Sequence, residues 1–350
     1  MNITKQFCFT DKSGKEVNEF ILSNDKGTIV SITNYGAIIT SFKILQNNGS
    51  VNDIVLGFEK VEEYISKNYQ ETYPYFGCAV GRYGNRIKNA CFEIDGQKFE
   101  VSKNNGDNQL HGGFEGFDKK VWEMVSFGQS PVPFLELKYL SQDGEEGYPG
   151  NLEVVARFEL NNENELSYVY TATCDKPTAV NLTHHGYFNL KNGEGNIKDH
   201  EVKIYGSNVL EQDENLVTNG NLLPVENTVF DFREFHSVEE GLKNIDEFDK
   251  SFVADNPGTN TSVTLMGEVI SKKSNLCLQV FSNEPVVHFY TGKWIPEIKG
   301  KNETIYGSFS GLCLETQVHP NAINIPHFPN TILRPGEIYN KKTVYKVIQI

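Results

Sequence analysis

The chain has 350 residues, with 32 basic and 46 acidic side chains and a formal charge of −14 at pH 7. Such a field repels nucleic acid and anionic membrane surfaces, so neither is expected as a partner, and a small neutral ligand fits better. With 38% hydrophobic and 12% aromatic residues, the composition argues against disorder, and the length permits a large core without covalent staples.

The opening residues, Met1-Asn2-Ile3-Thr4-Lys5-Gln6, lack the apolar run of a secretory leader. No stretch approaches the ~18 apolar residues of a membrane helix, so a cytoplasmic location is expected. The six cysteines are scattered, without Cys-x-x-Cys or a short His/Cys spacing, and are read as reduced, mostly buried thiols.

Taken in chain order, alternation with period two dominates, the pattern of half-buried strands. Strands are predicted over 28–32 and 38–45, then a short helix over 61–67. The glycines of 77–84 (GCAVGRYG) are followed by no helical pattern and no Lys-Ser/Thr pair, so a nucleotide loop is not expected. Residues 92–101 place Asp95-Gly96 between two alternating arms, a hairpin signal. Further alternation over 135–139, 154–160 and 166–172 predicts strands, the last two joined as a long hairpin by the polar turn 161–164. A short helix is predicted over 237–243 with Ser237 as its cap and Glu240 three residues on. Loops are predicted at 192–196 and 256–260, and strands at 275–281 and 343–350. No repeated βαβ unit is present, so an all-β antiparallel architecture is expected, as one domain over 1–350.

Candidate chemistry is sparse. The chain has five arginines against twenty-seven lysines, and a guanidinium serves fixed bidentate geometry better than an ammonium. Asn85-Arg86 therefore stands out in a Gly/aromatic loop, where a surface salt bridge is the plainer alternative. In 181–190 two adjacent histidines fall in a predicted strand, and adjacent side chains point to opposite faces. His185 shares a face with Asn181, Thr183 and Tyr187 and is the site candidate; His184 shares the other with Leu182, Gly186 and Phe188 and is read as a packing residue. Glu315 lies in the apolar run Gly311-Leu312-Cys313-Leu314-Glu315, so it is either tied into a structural network or poised as a base. His111 precedes Gly112-Gly113, which permit close approach of a ligand, and Asp249 reads alone as a turn acid. Together these supply acid, base and polar anchors with no metal or nucleotide motif, which suits proton transfer on a hydroxylated small molecule.

The sequence resembles the aldose 1-epimerases (galactose mutarotases). The matching blocks are Gly81-Arg82-Tyr83-Gly84-Asn85-Arg86-Ile87, Leu110-His111-Gly112-Gly113, Gly147-Tyr148-Pro149-Gly150, residues 181–190, Phe289-Tyr290-Thr291-Gly292 and Cys313-Leu314-Glu315-Thr316-Gln317. The resemblance implies a large antiparallel β-sandwich of the galactose mutarotase type. It also implies interconversion of the α and β anomers of a free hexose such as galactose or glucose, without a cofactor, by a monomer or homodimer. By the same resemblance Glu315 is the base, His185 the acid and His111 a second histidine near the ring oxygen, while Asn85, Arg86 and Asp249 hold sugar hydroxyls. Three positions depart from the family pattern: Lys250 replaces a usual His, His184 a usual Asn, and His288 a frequent Gln that reaches a sugar hydroxyl. These departures bear on sugar preference. The alternatives are a non-catalytic carbohydrate-binding protein on the same fold and a hexose-6-phosphate 1-epimerase, which would need a basic cluster for its phosphate.

Overall fold

The computed structural model describes residues 1–259 and 261–350. Three antiparallel sheets dominate it. The first five strands, Asn2–Thr10, Glu16–Ser23, Ile29–Thr33, Ile39–Leu45 and Val51–Asp53, form a meander in sequence order. A nine-stranded sheet carries the long hairpin Leu152–Leu160 and Glu165–Cys174 beside the last strand, Tyr339–Gln349, which pairs in turn with Leu276–Ser282. A six-stranded sheet holds Tyr187–Phe188, Leu312–Gln317, Val286–Tyr290 and Asp249–Val253 side by side.

The nine- and six-stranded sheets pack face to face, and alternation along each strand decides what faces where. Leu312 and Leu314 join the main apolar core with Val287, Phe289, Leu278 and Val347. Thr316 Oγ1 meets Thr343 Oγ1 of the last strand at 2.6 Å, and the Phe188 and Tyr345 rings lie 5.0 Å apart. Cys313, Glu315 and Gln317 therefore point to the opposite face. That face is covered as well, so the whole Leu312–Gln317 strand is buried. Each fully buried leucine contributes roughly 1.5–3 kcal/mol, which anchors the strand that carries the carboxylate.

The sequence expectations hold in outline. The 92–101 hairpin forms with Asp95 (φ 53°) and Gly96 (φ 81°) at its turn, the left-handed pair a two-residue turn demands. Ser237 caps Val238–Gly241 by accepting from the Glu240 N–H. Two elements differ. The helix expected over 61–67 is a single tight turn, Val61–Ile65, followed by a separate α-helix, Lys67–Thr72, which Ser66 caps. The strand expected over 181–190 is broken into Thr183–His184 and Tyr187–Phe188, pairing with different partners. Both of its faces are buried, which is why its sequence does not alternate cleanly between polar and apolar. The loop expected over 256–260 is described only to Thr259, as Asn260 lies outside the described residues. All six cysteines are unpaired.

Three buried charged side chains tie separate segments together. Asp53 accepts from Ser41 Oγ (2.7 Å), the Phe42 N–H (2.9 Å) and Lys301 Nζ (2.8 Å), while Lys301 also donates to the Val55 carbonyl at 3.0 Å. Arg82 is 2% exposed and spends its guanidinium on Ser141, on the Pro149, Gly150 and Gln142 carbonyls and on Thr178. It thereby pins the loop that leads to Asn85 and Arg86.

Candidate active site

A cleft of about 180 Å³ opens on the face of the six-stranded sheet that carries Glu315. Asn85, Arg86, His111, His185, Asp249, His288 and Glu315 all line it. Seven residues spread over 231 positions of sequence are thus brought to one place by the fold.

The floor is built by strand register. His288 stands directly opposite Glu315 on one neighbour and opposite Ser251 on the other. Asp249 begins its strand rather than sitting in a turn, two residues before Ser251 and on the same face. His288 Nδ1 lies 2.8 Å from Ser251 Oγ, and its Nε2 lies 2.9 Å from Asp249 Oδ1. Ser251 therefore engages Nδ1, while Nε2 only lies beside Asp249. The Asp249 contact lies off the line of the ring N–H, so that oxygen retains no well-aligned donor and can still accept from a ligand. Burial pushes Asp249 up, but His288, Arg86 and Lys250 outweigh it and hold the carboxyl below its usual range.

The acid candidate enters from the segment above. The His185 N–H donates to the Cys78 carbonyl and its carbonyl accepts from Gly77, which fixes the backbone. Its ring stacks on Tyr187 at 4.9 Å and on Tyr75 at 5.8 Å. His185 Nε2 lies 3.5 Å from Glu315 Oε1, and Glu315 Oε2 is buried without a partner. Burial lowers the His185 imidazole below its ordinary value, with Glu315 partly opposing and His288 adding to the shift. His184 turns the other way, into the core: Tyr170 meets its Nδ1 at 3.2 Å and the Tyr168 ring lies 5.2 Å off. There burial pushes it down to about 3, so it stays neutral.

The rim comes from a two-strand ladder in which Arg86–Ile87 pairs with Gln109–Leu110. Asn85 (φ 58°) and His111 (φ 52°) flank the ladder in left-handed backbone. The His111 N–H donates to the Asn85 carbonyl, and the Asn85 N–H donates to His111 Nδ1 at 3.3 Å. Burial, then the neighbouring His185 and Arg86, keep His111 well below its ordinary value, so the neutral ring carries its proton on Nε2. Gly112 must be glycine: at φ 86° a Cβ would sit 1.9 Å from the Gly81 carbonyl oxygen. Arg86 donates from Nε to Asn105 at 3.2 Å and has no carboxylate within ion-pair distance among the described residues. The surface salt bridge considered for it does not form.

Sequence reasoning missed part of the wall. Tyr73, Tyr75 and the 71% exposed Trp294 line the cleft but stand in stretches with no local signal. Tyr187 shares a face with His185 as the alternation rule requires. Such aromatic faces suit the C–H faces of a sugar while the polar groups take its hydroxyls.

Residues 19–346 match the family model described as aldose 1-epimerase. The chain belongs to the aldose 1-epimerase family. It is 40% identical to the galactose mutarotase of Sus scrofa over 333 residues, 93% of either chain. It is 33% identical to the aldose 1-epimerase of Escherichia coli strain K12, covering 96% of both. A crystal structure of an aldose epimerase homologue from C. elegans superposes with a TM-score of 0.86 at 28% identity, covering 99% of this chain and 100% of that one. The galactose mutarotase-like fold expected from the sequence is thus the one observed, with antiparallel sheets and few short helices. The protein is an enzyme of the epimerase kind, and its substrate is a sugar.

Within this family's chemistry the cluster His185, Cys313 and Glu315 invites a second reading, as metal ligands, since one donor atom from each lies within 4.8 Å of the others. The geometry opposes it. Cys313 Sγ approaches Nδ1 of His185 at 3.6 Å whereas Glu315 approaches Nε2, and one ion cannot take both edges of a single imidazole.

Proposed function

We propose that this cleft opens and recloses the pyranose ring of a free aldohexose such as galactose or glucose, with Glu315 as general base and His185 as general acid. The observation that carries the reading is the 3.5 Å approach of His185 Nε2 to Glu315 Oε1 on a buried floor where Glu315 Oε2 has no partner. Glu315 takes the proton of the C1 hydroxyl as His185 protonates the ring oxygen and the bond between C1 and that oxygen breaks. Rotation about C1–C2 presents the other face of the aldehyde, and the reverse transfers close the ring with inverted C1. His111 offers a neutral Nε2–H beside the reacting centre, and Asn85, Arg86 and Asp249 hold hydroxyls. His288, with Nδ1 held by Ser251 and Nε2 beside Asp249, orients that carboxylate and keeps Nε2 within the cleft for a sugar hydroxyl.

The charge of the cleft speaks for a neutral substrate. Arg86 is the only lysine or arginine that lines it among the described residues, too few for a sugar phosphate. Polarimetry on freshly dissolved α-D-galactose and α-D-glucose tests the reading. Acceleration over buffer is expected for at least one of them. Binding without acceleration would leave a carbohydrate-binding protein instead, and acceleration confined to glucose 6-phosphate would move the substrate to the phosphorylated class.

A further inference from the structure

Cys313 and Glu315 lie two residues apart on one strand, so both side chains leave the same face, separated by about 7 Å. The imidazole of His185 stands between them. The sulfur lies 3.6 Å from Nδ1 and the carboxylate 3.5 Å from Nε2. Cys313 is itself fixed, since its backbone pairs with Tyr187 on one side and Tyr290 on the other and it is fully buried. The strand thus grips the ring at both nitrogens, while the proton transfer proposed above uses only one.

We propose that Cys313 is a positioning residue for that transfer: its thiol, held on Nδ1, keeps the mobile proton of His185 on Nε2, the nitrogen facing Glu315 and the sugar. The inference rests on His185 being the acid. A thiol can do this in both charge states of the ring because sulfur both donates and accepts. In the imidazolium, Nδ1–H donates to sulfur and Nε2–H faces the carboxylate. In the resting neutral ring, S–H turns to donate to Nδ1, and the remaining proton again sits on Nε2. Burial and the nearby Glu315 hold the thiol well above its ordinary value, so the S–H stays available.

The cycle balances. Nε2–H passes to the ring oxygen as the C1–oxygen bond breaks, and Glu315 takes the proton of the C1 hydroxyl, leaving Nδ1–H still on sulfur. On reclosure the ring-oxygen proton returns to Nε2, and Glu315 gives its proton back to the C1 oxygen. Sulfur also suits an acid because it is a weak partner. A carboxylate on Nδ1 would stabilise the imidazolium and weaken its tendency to give up the proton.

The charged and titratable groups facing His185 are Glu315 and Cys313 on one strand, His288 and Asp249 on the next two, and His111 from the rim. Tyr75 and Tyr187 cover the ring faces. Of these side chains Cys313 alone touches Nδ1, and the ring's bond to its own backbone is common to every variant at 313, so differences among those variants read the sulfur. For Cys313→Ala, kcat on α-D-galactose is expected to fall about tenfold with KM within about twofold, and the alkaline limb of the kcat profile to move to lower pH, because the imidazolium loses its Nδ1 acceptor. For Cys313→Ser, kcat is expected to return to within about threefold and the limb to move to higher pH, since oxygen accepts from a charged N–H more strongly than sulfur does. Histidine ¹⁵N spectra should show the Nε2–H tautomer for neutral His185 in the wild type and in Cys313→Ser, and a mixture in Cys313→Ala.

A Cys313→Ala enzyme with unchanged kcat and pH profile overturns the proposal, as does one whose only change is a lower melting temperature. If that variant does not fold, Cys313→Ser decides, and an unmoved limb overturns the proposal. A wild-type ring protonated on Nδ1 when neutral also overturns it. A wild-type protein that fails to accelerate anomerisation would sink the proposed function instead, and the tautomer spectra would still report on Cys313.

Discussion

Two buried acid–base pairs in this protein are built to opposite ends. Asp53 and Lys301 are both under 8% exposed and meet at 2.8 Å, and each also bonds to neighbouring hydroxyl, N–H or carbonyl groups. Glu315 and His185 are equally buried, yet their contact is 3.5 Å and one carboxylate oxygen has no partner. Removing charges from water costs several kcal/mol per ion unless hydrogen bonds restore it. The first pair recovers that cost inside the fold; the second leaves part of it for a ligand to recover. Burial alone therefore does not separate a structural carboxylate from a reactive one, whereas unmet hydrogen-bonding capacity does.

Substitutions at the two pairs should break the comparison in different observables. Glu315→Gln keeps shape but cannot accept the hydroxyl proton, so kcat in polarimetry should drop by on the order of 10³-fold while galactose still protects the fold against heat. A variant retaining wild-type turnover would place the base elsewhere. Lys301→Met should do the reverse: stranding Asp53 should lower unfolding stability in urea by about 3 kcal/mol, with kcat per folded molecule unchanged.

A smaller effect separates the adjacent histidines. His184 has a folded pKa of about 3, below the ordinary imidazole value, so between roughly pH 6.5 and 3 the unfolded chain binds the extra proton and stability falls with pH. His184→Asn removes this term. The wild type should lose about 2 kcal/mol more than the variant between pH 7.5 and 4.5 in urea melts, whereas Asp118, raised to about 6, shifts both proteins alike. Parallel curves would mean that His184 is not held neutral. The smallest effect is expected at the rim. Arg86→Lys keeps charge but loses the planar fork that reaches Asn105, so KM should rise several-fold, about 1 kcal/mol, with kcat little changed. Equal losses in both constants would give Arg86 a part in the chemistry.

The sequence carried the long-range reading unevenly. The Asp95-Gly96 turn and the alternating arms of 152–174 were legible because a local rule determines each. The opposite directions of His184 and His185 followed from the same alternation, even though the strand that carries them proved to be two short bridges. The convergence of Glu315 with His185 was not legible from spacing: it is set by the pairing of Tyr187 with Cys313, a contact between segments 126 residues apart. Only the family resemblance brought those residues together beforehand. Ser251 escaped notice because a serine in an alternating strand has no distinguishing signal until the register puts it opposite His288. Neither could the sequence say that Ser251 and Asp249 flank the two nitrogens of His288, since that depends on the register of neighbouring strands.

Arg82, bonded to carbonyls and hydroxyls from three separate segments, sets a limit on how this chain can be edited. It fixes one end of a five-residue span whose other end is Arg86, so the reach of the second guanidinium is measured from the first like the arm of a compass from its point. Adding or deleting a single residue between them would leave the anchor in place and swing the rim off the cleft. The polar turn at 161–164 is bonded instead to Asn24, Asp25 and Thr28 and lines no part of the cleft, so an insertion there would disturb those bonds rather than the rim.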